Sequence, residues 1–259
     1  MIPIRGKAEI ERLRAACQLA VEAMGIAYGE IRPGVTTLAI AEKVKVFIES
    51  RGARPAFLGY NGFPGAICVS LNDEVVHGIP GERALREGDL VKIDIGTYMG
   101  GFYGDMTRTY PVGAVSEEAR KLREETRNAF FAAALKAVAG NRVGDIGWAV
   151  QNYLEPRGYG VVRALVGHGI GRRLHEEPQV PNFGKPGTGY LLKPGMVLAI
   201  EPMVNAGTFE VETLEDGWTT VTADGRLSAH YENTCVIRKG YPDILTLISG
   251  EDLSHHDEG

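Results

Sequence analysis

Cysteines are few in this 259-residue chain, and none of them lies in a paired motif. Cys17, Cys68 and Cys235 form no Cys-x-x-Cys spacing, and their odd number fits a reducing compartment better than a disulfide framework. The chain also lacks an amino-terminal apolar stretch of signal-peptide length and any apolar run long enough to span a bilayer. We therefore expect a cytoplasmic protein with no membrane partner.

Runs of Lys and Arg are missing as well, and the net charge is −5. This balance argues against a sequence-specific nucleic-acid binder, although it leaves room for a local basic patch. Hydrophobic residues make up 44% and charged residues 24% of the chain, as in ordinary globular proteins with one large α/β domain or two small ones. The end of the chain, 249–259, is polar and acidic, and we expect it to be mobile.

The spacing of apolar residues predicts both helices and strands. Helices are predicted over 7–28, from Thr36 or Thr37 to 50, over 116–139 and over 145–155. Short strands are predicted at 67–71, 75–79, 161–166, 196–200, near 204, at 218–222 and at 230–237. The glycine-rich stretch 167–171 is predicted as a loop.

Two aspartates in the first half of the chain lie in or near segments that are predicted to be apolar strands. Asp94 lies within the apolar run 90–95, and the bend at 98–101 is typical of a hairpin connection. A hairpin would make Asp94 and Asp105 face each other across paired strands. A carboxylate among apolar residues is costly unless a cation neutralises it, so the pair indicates a metal site. Because a strand-end aspartate is more often a cap or turn residue, this stretch alone leaves both interpretations open.

A weak internal repeat places two further acids in equivalent positions. Residues 85–94 resemble residues 192–201, and Asp105-Met-Thr107 resembles Glu232-Asn-Thr234. Chance similarity between amphipathic segments is the alternative, but the matched positions include acids in apolar strands, which are costly. Two α/β halves related by a pseudo-twofold axis would bring four acids to the centre. These are Asp94, Asp105, Glu201 and Glu232.

One histidine completes a possible ligand set. His168 lies between Gly167 and Gly169, and flanking glycines allow a backbone to approach a small site closely. Oxygen-rich ligation with a single imidazole suits Mn, Fe(II), Co or Zn better than an all-thiolate zinc site would. Carboxylates that bridge would hold two such ions, as in hydrolases that share a hydroxide between metals.

With these motifs, the chain resembles the type I methionine aminopeptidases of the short bacterial form. The resemblance covers residues 4–246, and the chain shows neither the amino-terminal zinc-finger extension nor the helical insertion of type II enzymes. The matching motifs are Asn72–Pro80, Lys92–Gly96, Gly104–Thr107, Gly167–Gly171, His175–Pro178, Ala199–Met203 and Tyr231–Thr234.

The resemblance implies a fold and a cofactor. The expected architecture is the α+β pita-bread fold: a central, curved, mostly antiparallel sheet flanked by two pairs of helices, with a pseudo-twofold internal repeat, forming one domain over 1–259. The expected cofactor is a pair of divalent ions, with Co, Mn, Fe(II) and Zn all open. The implied ligands are Asp94, Asp105, His168, Glu201 and Glu232.

The resemblance also implies roles for residues around the metals. Glu201 would act as general base, and His77 and His175 would bind the substrate and assist catalysis. The implied methionine pocket consists of Tyr60, Phe63, Cys68, Trp218 and Leu174, with Leu174 replacing an aromatic residue of the family pattern.

Taken singly, several of these residues have plainer interpretations. Judged alone, His77 and Cys68 would be interpreted as core residues, and His175 as a surface histidine. Thr107 and Thr234 fit either hydrogen-bond donors to carboxylates or ordinary strand residues. His230, His255 and His256 are taken as structural or solvent-exposed.

The implied activity is removal of the amino-terminal methionine from nascent or newly made proteins, with preference for a small second residue. The ribosome is then a possible partner, and a monomer is expected. One rival is an Xaa-Pro aminopeptidase or prolidase, although such enzymes usually carry a separate amino-terminal domain. Another rival is a non-catalytic binding module of the same fold, although such relatives typically lose metal ligands.

Overall fold

The computed structural model describes residues 2–251, and the predicted mobile tail lies outside them from residue 252 onward. Within this range no helix has the length and apolar character needed to cross a membrane. The described residues form four α-helices and two short 3-10 turns, Tyr60–Gly62 and Glu155–Arg157. The helices are α1 (Lys7–Glu30), α2 (Thr37–Ser50), α3 (Glu117–Ala134) and α4 (Val143–Leu154).

The described residues also form fifteen short or medium strands. They are β1 (Arg54–Pro55), β2 (Cys68–Leu71), β3 (Glu74–Val76), β4 (Leu90–Met99), β5 (Phe102–Pro111), β6 (Gly160–Val161), β7 (Gly167–Gly169), β8 (Glu176–Val180), β9 (Val197–Ile200), β10 (Met203–Asn205), β11 (Val211–Thr213), β12 (Thr220–Thr222), β13 (Ser228–His230), β14 (Glu232–Val236) and β15 (Asp243–Ile244).

Local chemistry sets the helix ends. Of the two threonines predicted to cap α2, Thr36 does so, because its Oγ1 accepts a hydrogen bond from the backbone N–H of Ala39. Ser116 caps α3 in the same way. The prediction that α3 reaches residue 139 was wrong, because the chain leaves the helix after Ala134 and the N–H of Ala139 donates to the carbonyl of Arg238 instead.

Two strand predictions also need correction. The strand predicted at 161–166 is limited to β6, and β8 was missed because Glu, Gln and Pro give its sequence little strand propensity. The strand predicted to continue through His77 ends at Val76, since His77 has φ of 60°, in the left-handed region.

The principal sheet has nine strands, and every pairing in it is antiparallel. Its main path runs β1-β4-β5-β14-β9-β7-β8, with β2 also paired to β4 and β15 also paired to β14. Two three-stranded sheets, β13-β10-β6 and β11-β12-β3, lie outside this path. The predicted mostly antiparallel sheet is therefore present.

Each half of the sheet has its own hydrophobic core beneath a pair of helices. In the first half, residues such as Met24 and Ile40 of α1 and α2 pack with Val91, Ile93 and Ile95 of β4. In the second half, α3 and α4 pack with residues of β9 and β14. A central antiparallel sheet between two helix pairs is the arrangement that the sequence predicts.

The two halves meet where β5 pairs with β14. Thr107 lies opposite Glu232, and Met106 lies opposite Asn233. The similar segments Asp105–Thr107 and Glu232–Thr234 are thus antiparallel neighbours. The predicted pseudo-twofold relation brings the two copies of one short motif side by side at the centre of the molecule.

Candidate active site

The β4–β5 hairpin carries the first two acids on one face. Its turn contains only Gly100 and Gly101, both with positive φ, and this two-residue connection fixes the register. Asp94 is therefore paired with Thr107, and Asp105 is paired with Gly96. The two aspartates therefore face each other across paired strands, as predicted, and are diagonal neighbours on one face of the hairpin.

Thr107 and Thr234 join the acids across the junction of the two halves. The hydroxyl of Thr107 donates to Oε2 of Glu232 at 2.9 Å. The hydroxyl of Thr234 donates to the backbone carbonyl of Asp105 at 2.9 Å and accepts from its N–H at 3.3 Å. One threonine thus orients a carboxylate directly, and the other fixes the backbone that carries a carboxylate.

His168 lies on strand β7, not in the predicted loop. Its neighbours Gly167 and Gly169 are needed for close packing, because a Cβ there would lie 2.4 Å from the carbonyl oxygen of Ala199 and 2.3 Å from that of Glu177. Nδ1 of His168 donates to the Gly169 carbonyl at 3.0 Å, which leaves Nε2 unprotonated and directed at the acids. Nε2 is 3.6 Å from Oε1 of Glu201 and 3.9 Å from Oδ2 of Asp105.

The five predicted ligand residues surround one cavity. Single ligand atoms of Asp105, His168 and Glu232 all lie within 4.8 Å of one another. Asp94 and Glu201 line the same cavity. The structure therefore brings together residues that are far apart in the chain.

The electrostatics of this cluster favour a bound cation. Burial raises the pKa of Asp94 to about 7, and burial followed by repulsion from neighbouring acids raises the pKa values of Asp105, Glu201 and Glu232 well above their ordinary range. Burial lowers the pKa of His168 to about 3, so its imidazole is neutral and able to act as a ligand.

Buried carboxylate oxygens that lack a hydrogen-bond partner indicate whether these residues fit a metal. Oδ1 of Asp94 and Oδ1 of Asp105 are buried and have no hydrogen-bond partner. Buried carboxylate oxygens without donors are costly, and an oxygen-rich set with one neutral imidazole suits a divalent ion of the Mn, Fe, Co or Zn type. The residues present fit such an ion.

The acids lie in a cavity of about 360 Å³ whose other walls are largely apolar. The residues predicted to form a methionine pocket all line it: Tyr60, Phe63, Cys68, Leu174 and Trp218. The rings of Phe63 and Trp218 pack edge to face with centroids 5.2 Å apart. A cavity of this kind accepts one apolar side chain beside a charged reaction centre.

Two histidines predicted to assist catalysis also line the cavity. Nδ1 of His175 is 2.8 Å from the hydroxyl of Tyr60, and its ring packs perpendicular to that of His168 with centroids 4.2 Å apart. Burial lowers the pKa of His175, and burial together with His175 lowers that of His77. Both rings are therefore neutral hydrogen-bonding groups near neutral pH.

His230 is a cavity residue that the sequence interpretation treated as structural or exposed. Its Nε2 is buried, has no hydrogen-bond partner and lies 3.8 Å from Oε2 of Glu201. A signal was available, because residues 230 and 232 flank Tyr231 in a strand region that carries a predicted ligand. His255 and His256 lie outside the described residues.

Comparison with known proteins agrees with this geometry. The model of metallopeptidase family M24 matches residues 11–239. The chain therefore belongs to the M24 metallopeptidases, and it is an enzyme of the hydrolase class.

Within that family, the chain is similar to methionine aminopeptidases. It is 50% identical to a methionine aminopeptidase of Clostridium perfringens, over 96% of this chain and all of that protein. The crystal structure of the Rickettsia prowazekii methionine aminopeptidase is 41% identical and superposes with a TM-score of 0.94, covering 95% of this chain and 100% of that one. This match confirms the predicted pita-bread fold.

A prolidase from Pyrococcus furiosus is a more distant structural relative. It is 25% identical with a TM-score of 0.77, and the match covers 95% of this chain but 66% of the prolidase. The described fold thus corresponds to about two thirds of that enzyme, as the rival interpretation anticipated.

Proposed function

We propose that this chain is a methionine aminopeptidase that removes the amino-terminal methionine from newly made proteins by metal-dependent hydrolysis. The observation that carries the proposal is the meeting of four buried or partly buried carboxylates and one imidazole at a largely apolar cavity, in a chain half identical to a methionine aminopeptidase. The preferred substrates would have a small second residue, as the family resemblance implies. Nascent chains in the cytoplasm, at or near the ribosome, are the expected source, and the protein is proposed to act as a monomer.

The metal site would be formed by Asp94, Asp105, His168, Glu201 and Glu232. Two divalent ions are proposed, because their charge would balance that of four carboxylates gathered at one cavity. When bound, such ions supply Lewis acidity and lower the pKa of a coordinated water toward neutrality.

The cavity walls would select the side chain of the first residue. An unbranched thioether would fit in the cavity against the rings of Phe63 and Trp218, which both line it, and would make favourable sulfur–aromatic contacts there. Because the same cavity is lined by the acids, a methionine side chain held there places its own amine and carbonyl next to the reaction centre.

Proton transfer is assigned to Glu201. Its carboxylate lines the cavity among the other proposed ligands, where a general base for the attacking water is needed. It would take the proton of the attacking water and pass it to the leaving amine.

His175 and His77 would bind the scissile peptide. If Tyr60 donates its hydroxyl hydrogen to Nδ1 of His175, the His175 proton resides on Nε2, where it can donate to the carbonyl oxygen as negative charge develops. His77 lies beside Trp218, with ring centroids 6.5 Å apart, and would hydrogen-bond the substrate backbone.

The test is turnover of Met-Ala-Ser by protein stripped of metal and then supplied with Mn, Co, Fe(II) or Zn. A methionine aminopeptidase regains activity with metal and cleaves Met-Ala-Ser but not Gly-Pro. Hydrolysis of Gly-Pro alone would favour the prolidase interpretation, and absence of both metal uptake and cleavage would favour a binding module.

A further inference from the structure

Lys92 is buried on the same face of β4 as the metal ligand Asp94. It is 2% exposed, and its neighbours Val91 and Ile93 point into the core of the first half, so Lys92 and Asp94 share the opposite face. Lysines at such positions usually extend their ammonium groups to water. No carboxylate of residues 2–251 lies within ion-pair distance of its Nζ, so backbone groups hold it instead.

Its ammonium group joins two segments that are far apart in the chain. Nζ donates to the carbonyl of Asn72 at 2.8 Å and to the carbonyl of Ser228 at 2.9 Å. Asn72 begins the turn into β3, which leads directly to His77. Ser228 begins β13, which leads through His230 to Glu232.

The residue paired with Lys92 holds the other end of β13. Thr109 lies opposite Lys92 on β5, and its hydroxyl donates to the His230 carbonyl at 2.8 Å and accepts from the His230 N–H at 3.0 Å. The next pair along the same face is Asp94 and Thr107. The hairpin therefore presents a row of polar residues, of which Lys92 and Thr109 fix β13 and the next pair serves the metal site.

The segments that Lys92 contacts need such a constraint. Neither β3 nor β13 belongs to the nine-stranded sheet. Asn72 and His77, which flank β3, have φ of 52° and 60°. Asn adopts the left-handed region more readily than other non-glycine residues, and the Asn72 side chain is also bonded to Asp89 and to the N–H of Leu90, whereas the left-handed conformation of His77 depends on surrounding contacts. The Asn72 carbonyl accepts from Lys92 and also from the N–H of Ser228, at 2.9 Å.

We propose that Lys92 is a positioning residue, which holds the segments carrying His77 and Glu232 at a set distance from the strand carrying Asp94. This role deepens the proposed function and rests on it for the assignment of those three residues. In the internal repeat, Lys92 corresponds to Ala199, so the repeated strand itself does not require a lysine. The lysine is explained by the two carbonyl groups that it joins.

The experiment compares Lys92→Met with the wild-type metal-loaded enzyme. Methionine has similar length but no donor, so both carbonyls lose their bond. We expect kcat/KM for Met-Ala-Ser to fall about 10- to 100-fold, mainly in kcat, because small displacements of catalytic groups have effects of this size. We also expect faster amide hydrogen exchange at 72–78 and 228–232, with exchange in α1 and α2 unchanged.

Two further variants separate positioning from stability. Lys92→Gln retains a hydrogen-bond donor, so its kcat/KM and its amide hydrogen exchange are expected to lie between those of Lys92→Met and the wild type. Val44→Ala removes methyl groups from the fully buried core under α2, away from the polar row, and is expected to lower stability while kcat stays at the wild-type value. If Lys92→Met does not fold, Lys92→Gln is compared with the wild type and with Val44→Ala by the same two measurements.

The inference would be overturned if Lys92→Met had the same kcat/KM as the wild type and the same amide hydrogen exchange at 72–78 and 228–232. So would an equal loss of kcat in Lys92→Met and Val44→Ala, because that result would assign Lys92 to general stability. If the wild-type protein were inactive, the proposed function would be refuted. The positioning role would then be judged from amide hydrogen exchange at 72–78 and 228–232 in the Lys92 variants alone.

Discussion

The two halves of the molecule supply equivalent acids by different routes. In the first half, Asp94 and Asp105 lie on two long strands joined by a two-residue turn. In the second half, Glu201 and Glu232 are separated by the chain that forms β10 to β13. That intervening chain contributes Met203, Trp218 and His230 to the cavity wall.

This difference separates the metal site from the pocket. The matched segments provide the four carboxylates, and segments outside those matches provide the aromatic walls together with His168 and His175. The carboxylates and the apolar wall therefore come from different parts of the sequence, and changes in one of them should leave the other largely intact. The predictions below test that separation, beginning with the largest expected effect.

Removing one acid from each half should be equally damaging. We expect Asp105→Asn and Glu232→Gln each to lower kcat/KM by about 1,000-fold or more, since each loses several kcal/mol of metal-dependent stabilisation. Steady-state rates with Met-Ala-Ser at saturating metal measure the effect. Near-wild-type activity in one of the two variants would show that the halves are not equivalent at the metal site.

The two threonines at the junction should differ in spite of their symmetry. Thr107 donates to a carboxylate and Thr234 to a backbone carbonyl. We expect Thr107→Val to weaken metal affinity about 10- to 100-fold and Thr234→Val to act chiefly on stability. Calorimetric titration with Mn gives the affinities, and thermal unfolding of the metal-free proteins gives the stabilities. Equal metal affinities in the two variants would contradict this assignment.

A change in the cavity wall should affect substrate binding and leave the metal site unaltered. Trp218→Ala removes a ring that packs on Phe63, and we expect KM to rise about tenfold, as loss of one to two kcal/mol of apolar burial predicts. Metal affinity measured in parallel should match that of the wild type. A large drop in metal affinity would mean that pocket and metal site are not separable.

The smallest effect concerns stability without metal. Because burial raises the pKa of Asp94 from 3.8 to about 7, the folded state binds a proton in this range that the unfolded state does not, so stability falls as pH rises from about 4 to about 7. Asp94→Asn should flatten this slope and raise Tm near pH 7 by a few degrees, on the order of 2–4 °C per kcal/mol. A steeper slope in the variant would contradict the assignment.

The sequence predicted the helices and the convergence of the acids well, because both depend on pattern and repetition. Helix α1 and the capped start of α2 follow from apolar spacing and from Thr36. The common cavity of Asp94, Asp105, Glu201 and Glu232 follows from a duplicated motif, which carries three-dimensional information that single segments lack.

Features set by contacts distant in sequence were predicted poorly. Gly167 and Gly169 indicate a loop by composition, yet they lie in a strand. They are glycines because the carbonyl groups of neighbouring strands leave no room for side chains. The exact pairing of Asp94 depends on which two residues form the turn. The role of Lys92 depends on the carbonyl groups of Asn72 and Ser228, which are 20 and 136 residues away. The setting of His230 depends on its proximity to Glu201.

The register of the β4–β5 hairpin determines whether the core and the proposed metal site form together. Side chains alternate along a strand, so a slip of one residue would exchange the two faces of whichever strand slipped. In β4 it would direct Asp94 toward the hydrophobic core and Ile93 toward the cavity, and in β5 it would do the same to Asp105 and Met106. A misaligned molecule could therefore neither bury its core nor assemble its ligands. Metal binding at the proposed site would then report that the hairpin has formed in its native alignment.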